Sequence, residues 1–313
     1  MNTPVAFLVF NRPEQTCRVF ERIRQAQPRQ LLVVCDGPRP HVPTDGERVE
    51  EVHQIIARGV DWPCEVLTNY APANMGCGER VASGLDWVFS LVEEAIILED
   101  DCLPDASFFT FCEAMLERYR HDERVMHING TNFVASYVRP DSSYFFSKYV
   151  WVWGWATWRR AWCHYDPTMA TWETRAKALD DSFDTRKEKA FWLSVFNEAR
   201  ADWSKANTWD YQWMYSCWTR DGLSLFPSVN LVENLGFGVD ATHTTSDFPH
   251  LRLATANLKT LNPPRQASRS RVRDSLMLSA YIGDPLHWRT NLTARLRVFQ
   301  QQLLKLLSRV WTK

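Results

Sequence analysis

The sequence predicts an α/β protein built on a doubly wound, mostly parallel sheet flanked by helices. Three observations predict it. Short apolar runs recur near residues 5, 31, 64 and 95, each separated from the next by a helix-length amphipathic stretch. That is the rhythm of βαβ units. The runs near 5, 31 and 95 are apolar throughout, as expected of strands buried on both faces, where a half-exposed strand would alternate. The chain has 313 residues, 45% of them hydrophobic, enough to fill a sizeable core.

The elements follow in order. Val5–Phe10 reads as the first buried strand, and Pro13 opens a helix running to Gln25, with Pro at a favoured early position. Leu31–Cys35 is the second strand, ending at Asp36-Gly37-Pro38. Asp45–Arg58 is a helix with Val49, Val52, His53 and Ile56 on one face. Cys64–Leu67, a helix over Gly78–Leu91 and a fourth strand at Ile96–Leu98 complete the alternation. Beyond them the spacing predicts helices at Phe108–Arg120, Arg186–Asp202 and Asp210–Arg220. Strands are expected at Val125–Ile128, Tyr144–Val150 and Leu223–Pro227.

Right-handed crossovers give the first four strands the order 3-2-1-4. The sheet then reverses between strands one and four, and ligands bind outside the strand tips at such a switch point. The tips there are Asn11-Arg12 after strand one and Glu99-Asp100-Asp101 after strand four, with Asp36 after strand two. Three adjacent carboxylates repel one another and favour a nearby cation. Mg²⁺ or Mn²⁺ suits such oxygen donors, and often takes one or two carboxylates plus substrate phosphates. The bland alternative is a solvated acidic turn. The first turn has no G-x-G-x-x-G and the chain no Walker sequence, so a diphosphate here would need another source of positive charge.

Three further constellations stand out. In Trp209-Asp210-Tyr211-Gln212-Trp213-Met214, Asp210 begins a helix among aromatics. It reads equally as a helix cap or as a general base with apolar surroundings. The block Trp151–Trp162 is rich in Trp around Gly154. Core packing is one reading. The other is an exposed face for a sugar ring, with Gly154 permitting close approach of a ligand or of a second backbone. His243, in the loop Gly238–Thr244, is either incidental or a neutral imidazole completing a metal site.

The net charge of −1 gives no electrostatic case for nucleic acid. The eight cysteines are scattered and show no CxxC spacing, as in a reduced, cytoplasmic protein. Val5–Phe10 is too short for a signal peptide, and no run is long enough to span a bilayer.

These residues carry a resemblance. Phe10-Asn11-Arg12-Pro13, Asp36, Leu98-Glu99-Asp100-Asp101 with Phe108-Phe109, and Trp209-Asp210 with Trp213-Met214 resemble the GT-A fold glycosyltransferases, family 2-like and N-acetylglucosaminyltransferase-like. The resemblance covers about residues 1–245. It implies a metal-dependent, inverting transferase that uses a nucleotide-sugar donor, a UDP-sugar favoured, and a glycan or lipid-linked saccharide acceptor. It implies Mn²⁺ or Mg²⁺ on Asp101, and the separate reading of His243 would make that residue a further ligand. Asn11, Arg12, Asp36, Glu99 and Asp100 would hold the nucleotide side. Trp153, Gly154, Trp155 and Trp209 would hold the acceptor, and Asp210 would be the base. One departure matters: Tyr211 and Gln212 stand where the family has consecutive acids before its second Trp. Anchoring on Trp213 puts Gln212 at the base position, whereas an E-D-x-x-L spacing selects Asp210. A saccharide-binding protein of the same fold and a sugar nucleotidyltransferase remain as other readings.

The predicted organisation is a GT-A domain over 1–260, divided at 105/106 into nucleotide-binding and acceptor-binding halves. A Pro-, Ser- and Arg-rich arm follows over 261–290, then an amphipathic helix over 291–313. That last stretch sets Leu296, Phe299, Leu303, Leu306, Leu307 and Val310 on one face, with Arg295, Arg297, Lys305, Arg309 and Lys313 around them. The pattern suits a peripheral contact with the inner face of the cytoplasmic membrane, or docking on the protein's own surface.

Overall fold

The computed structural model describes residues 1–135, 142–175, 179, 182–201, 207–236 and 253–282. The four alternating strands are β1 (Val5–Val9), β2 (Gln30–Cys35), β3 (Glu65–Tyr70) and β4 (Glu94–Glu99). They stand in the order β3-β2-β1-β4, every neighbouring pair parallel. Beyond β4 the same sheet continues through β8 (Trp155–Trp158), β6 (Val125–Asn129), β9 (Leu223–Pro227) and β7 (Tyr144–Ser147), to eight strands among the described residues. β8 runs antiparallel to both β4 and β6, so this half is mixed. A separate ribbon pairs β5 (Cys102–Pro104) with β10 (Val232–Asn234). Mixed α/β with a large, mostly parallel sheet is compatible with a GT-A-like fold.

Helices cover both faces of β1, β2 and β4, which explains why those strands carry no polar alternation, whereas β3 at the sheet edge is polar and largely exposed. On one face lie α1 (Pro13–Ala26), α2 (Asp45–Gly59) and α4 (Ala106–Tyr119), burying Val19, Phe20, Val52 and Phe111 against Phe7, Val33 and Leu98. α4 starts where Asp105 accepts from the Ser107 N–H at 2.9 Å, a standard N-terminal cap. On the other face lie α3 (Cys77–Leu91), the short α5 (Arg159–Trp162) and α6 (Trp172–Arg175), α7 (Arg186–Ala201) and α8 (Asp210–Trp218). There Leu85, Val88, Trp192 and Trp213 pack on Ala6, Leu32 and Ile97.

The tryptophan block differs from the expected platform. Part of it is β8, a strand in the middle of the sheet, with Trp155 in one core and Trp158 in the other. Opposite faces follow from the strand period of two. Each Trp buries a large apolar area, so a strand lined with them is a core strand first.

The arm expected over 261–290 is in part a packed element. Residues 271–281 form α9 (Arg271–Tyr281), which buries Leu276, Met277 and Leu278. Ser270 caps it, and Arg269 pairs with Asp184 at 3.0 Å and Asp274 at 3.1 Å. Arg and Ser, read as solvated composition, are spent here on ion pairs and a cap. The predicted helix over 291–313 and the loop containing His243 lie outside the described residues.

Candidate active site

The site is built where β1 and β4 end side by side. Leu8 pairs with Glu99, so Phe10-Asn11-Arg12 leaves the sheet next to Asp100 and Asp101. Asp100 is buried and accepts from the Phe10 N–H at 3.2 Å. The Arg12 guanidinium spans both acids, with Nη2 2.8 Å from Asp100 Oδ1 and Nη1 2.8 Å from Asp101 Oδ2. The cation that the acidic run calls for is thus supplied, in the chain itself, by Arg12. A fork of N–H donors suits two carboxylates that one ammonium could not bridge.

Electrostatics set these acids apart. Burial, then the Asp101 and Asp100 charges, push Glu99 well above the usual carboxylate range, and Asp210 adds to the effect. Burial also lifts Asp100 to about 7, although Arg12 and the Phe10 N–H pull it back. Burial works against the charge on Arg12, but Asp100 and Asp101 outweigh it and raise its pKa. Asp101 is the more accessible of the Arg12-bound acids, 14% exposed against 2% for Asp100. The Leu235 N–H donates to the Asp101 main-chain oxygen at 2.7 Å. Gly236 then passes so close to the Asp101 carboxylate that any Cβ there would collide with it.

Asp210 faces this cluster from the other half of the protein. It is the first residue of α8 and not its cap, which is Trp209. A first-turn carboxylate still benefits from the helix dipole. Glu99 and Cys77 both feel its charge, and Cys77 also feels Glu99, Asp101 and Arg12. Cys77 therefore marks the crevice between acidic tip and Asp210. Its thiol is held neutral by burial first and these carboxylates second. Tyr165, whose buried hydroxyl has no hydrogen-bond partner among the described residues, lies on the Asp210 side, raised by burial and then by Asp210.

Three contacts fix the start of α8. Asn207 Oδ1 accepts from the Gly78 N–H at 3.0 Å, at the first turn of α3. Gly76, at φ +81°, makes room: a Cβ there would lie 2.8 Å from Asn207 Oδ1. Trp213 Nε1 donates to His127 Nδ1 at 3.1 Å, which leaves His127 Nε2–H to donate to the Trp151 carbonyl at 3.0 Å. The Tyr211 and Tyr281 hydroxyls meet at 3.3 Å, so α9 braces the residue beside Asp210.

The other expected site residues divide. Asp36 is buried with its oxygens taken by Gly37 N, Asn74 Nδ2, Met75 N and Gly76 N; it shapes the loop into α3 instead of facing a base or ribose. Asn11 is buried and donates to Asp45 at 2.7 Å, which Arg39 also binds. Trp155 and Trp209 are buried and stack on each other at 5.6 Å, offering no open face to a sugar. Trp153 is only partly buried, against Phe133 at 5.3 Å. Gly154, at φ +62°, admits the Val232 side chain, and its carbonyl accepts from the Gly130 N–H at 2.7 Å. The close approach read from that glycine is by the protein's own chain. Cys77, Asn207 and Tyr165 went unnoticed in the sequence because none belongs to an acidic or aromatic cluster along the chain.

The donor set suits a hard divalent cation in chemistry: Glu99 and Asp101 are carboxylates at one strand tip. Among the described residues, no group of three His, Cys, Asp or Glu side chains could hold a metal ion by itself. A cation held here would need further oxygen donors besides these two carboxylates.

No protein-family model matches the chain, and no curated protein matches it. Among solved structures it is similar to the crystal structure of S. aureus TarS, with 13% identity over 45% of this chain and a TM-score of 0.30. The match spans only 24% of the TarS chain. A likeness that slight carries no argument for fold or activity.

Proposed function

We propose that the protein is a metal-dependent, inverting glycosyltransferase. It moves a sugar from a nucleoside diphosphate donor, a UDP-sugar favoured, to a hydroxyl of a glycan or lipid-linked saccharide. The observation that carries this reading is the meeting of Asp210 with the Glu99–Asp101 strand tip across one crevice at the β1/β4 switch point. The nucleotide side is Arg12 and the acidic tip. Asp101, supported by Glu99, would hold Mn²⁺ or Mg²⁺ jointly with the diphosphate, and His243 is proposed as a further ligand. That cation would offset the charge that develops on the leaving diphosphate.

The chain's own residues account for the rest. Asp210 accepts the proton of the acceptor hydroxyl as its oxygen attacks the anomeric carbon. Gln212, the competing candidate, is fully buried, and an amide has no basicity to offer. The bracing of α8 by Asn207, His127 and Tyr281 fixes the carboxylate, and such positioning is itself a large part of catalysis. Trp153, partly buried, is proposed for the acceptor side. The basic amphipathic pattern of 291–313 supports a cytoplasmic protein at the inner membrane face, near lipid-linked acceptors.

The test is donor turnover. With a panel of nucleotide sugars and Mn²⁺, one donor should release its nucleoside diphosphate. Asp210→Asn keeps the side chain's shape and removes its basicity. Turnover should fall about a hundredfold or more, with donor affinity and melting temperature little changed. Near-normal turnover in Asp210→Asn would remove Asp210 from the role of base.

A further inference from the structure

We propose that Arg12 exchanges partners: without a donor its guanidinium holds Asp101, and a bound diphosphate draws it away so that Asp101 can take the cation. The inference rests on the reading of this site as a metal–diphosphate site. Arg12 does not bind one acid with both prongs. It sends Nη2 to Asp100 and Nη1 to Asp101, each at 2.8 Å.

The two prongs are not equivalent. Asp100 is buried and pinned from a second side by the Phe10 N–H, so that prong is structural. Leaving Asp100 without a cation would strand a buried carboxylate. Asp101 is 14% exposed against 2% for Asp100, so solvent weakens its pair with Arg12 more than it weakens the Asp100 pair. The Asp101 prong is therefore the one that can be given up. Phosphate is the other natural partner of a guanidinium fork. A diphosphate entering at the switch point can accept from Arg12 while the Asp100 prong stays in place.

Two consequences follow for binding. A divalent cation arriving alone competes with the Arg12 charge for Asp101, and like charges oppose each other. Arriving with a diphosphate, it meets no such competitor. Cation and nucleotide should each strengthen the other's binding by one and the same factor. Arg12 is then the residue that makes the two bind together.

The experiment measures Mn²⁺ binding without catalysis, following free Mn²⁺ by paramagnetic resonance, with and without UDP. Wild type should bind Mn²⁺ alone weakly, and UDP should tighten it about tenfold or more. Arg12→Lys keeps a charge for buried Asp100 but cannot span both acids. It should bind Mn²⁺ alone about tenfold more tightly than wild type, with a correspondingly smaller gain from UDP. Arg12→Gln should shift in the same direction and lose UDP affinity as well, with melting curves checking that both variants fold. Equal Mn²⁺ affinity in wild type and both variants, with UDP still strengthening it, would overturn the exchange and leave the metal–diphosphate site standing. No Mn²⁺ binding by any protein, even with UDP, would overturn both.

Discussion

Single residues decide the chemistry through what they are denied. Glu99 is denied water and given two carboxylate neighbours, so it resists ionisation. His127 is denied water entirely and is held at about 3. It is kept neutral between Trp213 Nε1–H and the Trp151 carbonyl, where its two nitrogens accept and donate in turn. The sign of its effect on stability follows. Below about 6.5 the unfolded chain binds a proton at this residue that the folded chain refuses. Stability contributed by His127 is thus present at neutral pH and lost as pH falls from about 6.5 toward 3. From pH 7 to pH 4 the loss should reach about 3 kcal/mol. His127→Gln should be less stable than wild type in urea at pH 7, and the gap should narrow by that amount at pH 4. A gap that does not change with pH would mean that His127 titrates alike in folded and unfolded chains. None of this was legible in the sequence, where His127 is one polar residue in a short apolar run. The role of Arg12 was half legible: its place at a strand tip was read, but its fork across two acids needed β1 and β4 in register.

At the scale of elements, the βαβ half was the most legible part. Continuous apolar strands and amphipathic helices leave little choice of layer, and the order β3-β2-β1-β4 follows from crossover handedness. The β8 strand was illegible as a strand because Trp serves core and ligand equally well on composition. Only its pairing with β4 and β6 shows which. The segment leading into α9 was read from its polar residues as a solvated arm, whereas Arg269 and Ser270 are bonded within the fold. The stretch 291–313 poses the same question in reverse, since an apolar stripe does not choose its own partner. If it is an interfacial helix, the full chain should float with anionic vesicles at low salt and less at high salt. A chain ending before Asn291 should stay in the soluble fraction. Equal behaviour of the two would assign the helix to the protein's own packing.

Across the whole molecule, the parallel half delivers Arg12 and the acidic tip, and the mixed half delivers Asp210. The contacts between Asn207 and the glycines at the start of α3 join the two halves at the crevice. That convergence was only partly legible: both motifs could be read along the chain, but their meeting, with Cys77 between them, is a property of the sheet order. None of the described helices is long and apolar enough to cross a membrane. The central claim is that this crevice binds a nucleoside diphosphate together with a divalent cation through Asp101. Calorimetric titration of UDP tests it most directly, with Mn²⁺, with EDTA, and with Asp101→Ala in Mn²⁺. The account predicts strong binding in the first case only, with affinity lower by at least about tenfold in the other two. Equal affinity in all three would contradict it.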